Sequence, residues 1–174
     1  MDKRAVRSEL LPAESKVMEK LGGLPLDFRA MAAISNLFRA SMAVRRRLEA
    51  NVLASDRLSW TSFSSLWVLW VWGDMEVRDL ASAVCISRPT ATGVVATLKR
   101  RGLVKSRPGE HDGRTVFVEL TTKGRRTIER VFPSFNAEEA AVASCLAPAE
   151  QDQLAGLLRS LLRGVDPKNQ KNDK

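Results

Sequence analysis

The densest set of groups able to read another molecule lies in residues 87–101, Ser-Arg-Pro-Thr-Ala-Thr-Gly-Val-Val-Ala-Thr-Leu-Lys-Arg-Arg. At helical spacing Ala91, Val94, Val95 and Leu98 share one face. The polar side carries Ser87, Arg88, Pro89, Thr90, Thr92, Gly93 and Thr97. All but the arginine are small or hydroxyl-bearing, so a helix presenting them can lie deep in the major groove of a nucleic-acid duplex, with Arg88 and Thr90 within reach of base edges. An ordinary amphipathic helix with a wetted polar face has the same pattern. The surroundings therefore decide between the two.

A second group follows in the turn-rich interval 108–114, Pro-Gly-Glu-His-Asp-Gly-Arg. Asp112 stands two residues before Arg114, where a carboxylate can orient a guanidinium without cancelling its reach, and an arginine held in this way can enter a narrow minor groove. His111 is a phosphate contact when protonated and otherwise only an exposed turn residue. Arg107, Lys99, Arg100, Lys105 and Lys123 suit phosphates, which set affinity and register rather than sequence choice. A plain solvated cation is the alternative for each of them.

Net charge supports a polyanionic partner. The 174-residue chain carries +8, and between Arg88 and Arg130 eleven Lys or Arg stand against four Asp or Glu, a local +7. Cys85 and Cys145 show no metal-ligand spacing and there is one histidine, so no metal site and no cofactor is expected. No nucleophile–base–acid set and no Gly-rich phosphate loop points to an enzyme. The first residues (Asp2, Lys3, Arg4, Arg7, Glu9) lack an apolar signal core, and no run approaches the roughly 20 apolar residues of a membrane span. A cytoplasmic chain without a membrane partner is the expectation.

These groups need a scaffold. Residues 77–84 read as a short helix, 85–86 as a tight link, and Ser87 with Pro89 in the first turn as a new helix start, which together make a helix-turn-helix. The β-branched or alternating stretches 103–107 and 115–120 predict a β-hairpin behind it. Before them, Asp27 caps a long helix over 27–54 with Ile34, Phe38, Ser41, Val44, Leu48 and Val52 at three- and four-residue steps, and a second helix covers 61–72 until Gly73-Asp74. After them, Thr121 caps a helix reaching the 140s that Pro133 is expected to kink or interrupt. A last helix begins near Pro148 with Leu154, Leu157, Leu158, Leu161 and Leu162 on one stripe.

The division expected is therefore an N-terminal arm over 1–26 with a short helix at 13–21, a DNA-binding domain over 55–120, helical segments at 27–54 and 121–163, and a disordered tail at 164–174. The fold class is mainly α with a small β-hairpin wing, a winged helix-turn-helix.

Leu80-Ala81, the run from Ser87 to Thr92, Leu98-Lys99-Arg100-Arg101-Gly102-Leu103-Val104, Asp112-Gly113-Arg114 and Leu120-Thr121-Thr122-Lys123-Gly124 together resemble the MarR family of bacterial transcription regulators. The resemblance covers about residues 28–163, and the Asp-x-Arg wing before a Leu-Thr-x-x-Gly helix start is its most specific part. It implies a homodimer in which the N- and C-terminal helices interlock as dimerisation helices. It also implies a pseudo-palindromic operator in double-stranded DNA, and repression relieved when a small-molecule effector, often an aromatic anion, binds between the dimer and DNA-binding regions. The chain departs from the family pattern at Gly93, where an arginine is common, which moves base readout toward Arg88, Thr90 and the wing. It also has a longer N-terminal lead.

For an effector, Trp60, Trp67 and Trp70 offer stacking surfaces and Arg29 a carboxylate partner, although core packing for the tryptophans and solvation for the arginine are the plainer expectations. Cys85 and Cys145 are expected to be buried as small apolar residues, with a redox role as the alternative. From another class, the same winged surface could bind a protein partner, or the chain could serve as a dimerisation module, without reading DNA.

Overall fold

A computed structural model describes residues 10–108 and 116–165. His111, Asp112 and Arg114 lie outside the described residues, as does the tail from residue 166. The chain forms two compact units, Met1–Arg46 and Arg47–Lys174.

In the first unit α1 spans Pro12–Leu21, with Pro12 at the first helical position, where its missing N–H has no intrahelical partner to lose. Glu14 holds its start. One carboxylate oxygen accepts the Leu11 N–H at 2.8 Å, and the other accepts Asn36 Nδ2 at 2.9 Å, joining α1 to the next helix. The Leu11 bond, followed by the Asn36 bond, holds the Glu14 carboxyl below the ordinary carboxylate range. That next helix, α2, runs Phe28–Asn51 and crosses the division between the units. Asp27 caps it through Oδ1, which accepts the Ala30 N–H at 2.9 Å.

The second unit continues from the end of α2, where Leu48 is buried. A 3-10 turn at Leu53–Asp56 ends at Arg57 in the left-handed region, φ 50°. Helix α3, Trp60–Trp72, starts on a Ser59 cap and stops at Gly73, φ 83°. Strand β1 is Met75–Glu76, α4 is Val77–Ala83 and α5 is Arg88–Arg100. Strands β2, Val104–Pro108, and β3, Val116–Leu120, form the hairpin. The antiparallel sheet has order β1-β3-β2, with Met75 opposite Val118 and Val104 opposite Leu120. Leu53, Leu66, Leu80, Leu98, Leu103, Val118 and Ile128 form its core, so helix-turn-helix and hairpin bury one common surface.

Helix α6, Thr122–Ala143, runs through Pro133 as one helix, so of the expected kink or interruption the interruption does not occur. Pro133 is exposed and lacks one backbone donor, while Ile128, Val131 and Phe135 are buried on either side of it and anchor both halves of the helix. The last helix, α7, spans Pro148–Val165 and has no buried residue. Gly164 and Val165 are thus helical, although the tail was expected to begin at Gly164. Among the described residues no helix is long and apolar enough to cross a membrane.

Candidate nucleic-acid interface

The turn between α4 and α5 is closed by backbone bonds. The Val84, Cys85 and Ile86 N–H groups donate to Leu80, Ser82 and Ala81 carbonyls at 3.0, 3.1 and 2.9 Å. Cys85 occupies the left-handed region, φ 56°, and is exposed. Cys145 is exposed as well, so the expected burial of both thiols is corrected. At the turn the reason is local, because the backbone reversal directs Cys85 outward.

Ser87 then caps α5, its Oγ accepting the Thr90 N–H at 3.3 Å, and the two hydroxyls lie 2.7 Å apart. Ala91, Val95 and Leu98 are buried and Val94 is half-buried, which places the apolar face of residues 87–101 against the core as expected. Pro89, Gly93, Ala96 and Arg100 form the outward ridge, at steps of four, three and four residues. Ala96 carries no group that draws attention in a sequence, and its signal was only its spacing from Pro89. Among the described residues nothing lies within 4 Å of a Cβ built on Gly93, so no packing contact with them requires a glycine there.

The threonines are partly committed within the helix. Thr92 Oγ1 donates to the Arg88 carbonyl at 3.0 Å, and Thr97 Oγ1 donates to Gly93 at 3.0 Å while accepting Arg100 Nη2 at 3.2 Å. Their second lone pairs and methyl groups remain for a partner.

Arg88, Thr92 and Lys99 line a cleft of about 440 Å3 between α5 and the sheet, whose opposite wall includes Arg78, Ser106 and Val116. Arg78, missed at the sequence level, sits 2.8 Å from Glu76 and 3.5 Å from Asp79. Among the described residues no ion pair to Arg88 or Lys99 is present, which leaves two cations available on this wall. Along the hairpin Arg107, one pair from the turn end of the described strands, meets Asp74 at 2.5 Å and lies 4.8 Å above the Phe117 ring, while Lys105, nearer the base, meets Glu119 at 3.1 Å.

Behind α5 a set of basic side chains holds its end. Lys123 Nζ donates to the Arg101 carbonyl at 2.8 Å, where the negative end of the helix dipole favours a cation. Arg101 donates to the carbonyls of Arg57 and Asp56 at 2.8 and 2.6 Å. Arg130 donates through both guanidinium nitrogens to Asp56, whose carboxyl this holds below the ordinary carboxylate range. The Leu-Thr-x-x-Gly motif also acquires a physical account. Thr121 caps α6 by accepting the Gly124 N–H at 3.0 Å and donates to the Gly102 carbonyl at 2.7 Å. A Cβ on Gly124 would stand 1.9 Å from the Leu103 oxygen, so α6 approaches the start of β2 too closely for a side chain.

The effector candidates separate. Trp60 and Trp67 line an aromatic cleft of about 360 Å3 between α3 and α6. Phe63 stacks on Phe135 at 4.1 Å, and Trp60 lies 6.0 Å from Phe135. Trp70 packs against Phe132 at 5.5 Å without lining the cleft. Arg29 lines a different cleft of about 330 Å3 within the first unit, together with Val17, Met18 and Phe28.

Residues 58–116 match the model of the MarR family. Across 164 residues the chain is 35% identical to YwaE of Bacillus subtilis (strain 168), an uncharacterized HTH-type transcriptional regulator, covering 92% of this chain and 96% of the relative. Among solved structures, the transcriptional regulator PA4135 is 27% identical with a TM-score of 0.67, over 78% of this chain and 96% of that one. BpsR of Bordetella bronchiseptica, whose DNA binding is regulated by 6-hydroxynicotinic acid, is 26% identical with a TM-score of 0.68, over 74% and 98%. TM-scores of 0.67 and 0.68 over about three quarters of the chain show that it shares the fold of these two solved structures.

Proposed function

The chain belongs to the MarR family of transcription regulators, and on that footing we propose that it is a homodimeric repressor that reads a pseudo-palindromic operator and releases it when a small molecule binds. The observation that carries this reading is the outer face of α5. Its ridge of Pro89, Gly93, Ala96 and Arg100 is exposed, and its flank presents Arg88 and Lys99 without ion-pair partners among the described residues. Small side chains let the helix approach base edges, Arg88 and Thr90 supply hydrogen-bonding groups, and Lys99, Arg100, Lys105 and Lys123 supply positive charge for phosphates. In this reading Arg107 braces the hairpin, and His111, Asp112 and Arg114, named by the sequence alone, are DNA contacts of the wing.

A second copy is supported by apolar surface left in water. Ile34, Phe38 and Met42 of α2 are 40%, 64% and 63% exposed, and Leu157, Leu162 and Val165 of α7 are 63%, 65% and 62% exposed. Stripes of this kind are what a self-complementary interface covers. We assign 27–54 and 121–163 to dimerisation, 55–120 to DNA, and 1–26 to an accessory arm. For the effector, the cleft walled by Trp60 and Trp67 supports an aromatic molecule, and BpsR provides a relative whose DNA binding responds to an aromatic compound.

The test is a mobility-shift titration of purified protein with DNA from upstream of its own reading frame, repeated from low to physiological salt. A retarded complex whose affinity falls steeply with salt is expected, because several phosphate contacts release counterions. No shift at low salt would overturn the reading. Salt-insensitive capture of a protein instead would favour a docking module.

A further inference from the structure

The aromatic cleft carries the wrong charge for an aromatic acid. Trp60, Phe63 and Trp67 of α3 and Phe132 and Phe135 of α6 supply its ring surfaces, and Glu139, one turn beyond Phe135, is the ionisable side chain in its wall. Among the described residues no lysine or arginine lines the cleft. Arg29, the side chain best suited to a ligand carboxylate by its position in the sequence, lines the cleft of the first unit instead.

Among the described residues no ion pair to Glu139 is present. Arg47 is taken by Glu138, with Nε 2.6 Å from Oε1, and Asn51 donates to the same oxygen at 2.8 Å. The hydrogen bond to Glu139 comes from Asn136 Nδ2, a neutral donor, at 3.2 Å. A carboxylate ligand would therefore be brought beside a like charge, since Glu139 stands exposed at the edge of the cleft. A cation would meet a carboxylate and the negative faces of several rings together.

We infer that this cleft binds a small aromatic or alkylammonium cation, in contrast to the aromatic acid that acts on BpsR. The inference rests on the reading that a ligand in this cleft controls operator binding, and it specifies the ligand's charge.

The test uses the full chain and its intrinsic tryptophan fluorescence, to which Trp60 and Trp67 of the cleft contribute beside Trp70 and Trp72, with three probes of similar size: benzyltrimethylammonium, phenylacetate and benzyl alcohol. Ionic strength is matched with sodium chloride. Benzyltrimethylammonium should bind about tenfold more tightly than phenylacetate. Glu139→Gln should weaken the cation roughly three- to tenfold while leaving benzyl alcohol unchanged, and Glu139→Lys should reverse the preference. Helical content measured by circular dichroism establishes that both variants fold.

Phenylacetate binding as tightly as the cation, or a Glu139→Gln variant with undiminished cation affinity, would overturn the inference. In parallel, fluorescence anisotropy of labelled operator DNA reports release. Cation binding that depends on Glu139 but leaves DNA affinity unchanged would overturn the effector reading and leave the charge preference standing. Absence of binding by all three probes would overturn both.

Discussion

Replacing Gly124 by alanine adds one methyl group at the third residue of α6, 1.9 Å from the Leu103 carbonyl oxygen. Relief to 3.0 Å, the shortest separation that real Cβ atoms show, requires the start of α6 and the start of β2 to part by about 1.1 Å. The bonds that join them cannot follow. The Thr121 N–H donates to Leu103 at 3.0 Å and Thr121 Oγ1 donates to Gly102 at 2.7 Å. At about 1 kcal/mol for each net hydrogen bond, losing these two removes about 2 kcal/mol. Alanine returns up to about 1 kcal/mol through helix propensity, leaving a loss of about 1 kcal/mol or more.

The control is Gly93→Ala, the same chemical change in α5, where nothing among the described residues stands within 4 Å. There the propensity gain acts alone and should stabilise by about 0.5–1 kcal/mol. Urea unfolding followed by tryptophan fluorescence, at one fixed protomer concentration, measures both. A Gly124→Ala protein within about 0.5 kcal/mol of the parent, or a Gly93→Ala protein equally damaged, would refute the reasoning.

Arg88→Ala and Arg114→Ala should each lose about 1–3 kcal/mol of operator affinity in anisotropy titrations, and unchanged binding by either would remove that residue from the readout. Lys99→Ala should weaken operator and non-specific DNA alike and lower the slope of log affinity against log salt by about 1, whereas an unaltered slope would exclude a phosphate contact. Acid stability should depend on Asp56, whose carboxyl is held low chiefly by the Arg130 hydrogen bond. Because the folded-state value is depressed, its stabilisation is complete above the unfolded value of about 3.9 and is lost as pH falls through the folded one. Asp56→Asn should lower Tm at pH 7 and flatten its decline below about pH 4. Parallel Tm curves for parent and variant would contradict this.

Local chemistry explains which features were legible in the chain. Ser87, Pro89, Asp27 and Thr121 announce helix starts through capping and backbone rules that act within a few residues, and their helices begin where those rules require. Strand β1 was not legible, because Met75-Glu76 is too short to show alternation and pairs with β3 some forty residues later. Lys123 and Arg101 looked like their solvated neighbours, and their carbonyl partners are set by tertiary packing. Ala96 lacked chemistry to suggest its place on the ridge. Arg29 and the tryptophans suggested one effector site, and it took the folded chain to assign them to separate clefts.

Selection of bound DNA from a random or genomic pool tests the central claim most directly, since it asks whether the α5 surface reads sequence. The account predicts one enriched motif with two inverted half-sites whose centres lie about one helical turn, or a multiple of it, apart. Recovery of no shared sequence at physiological salt would contradict it.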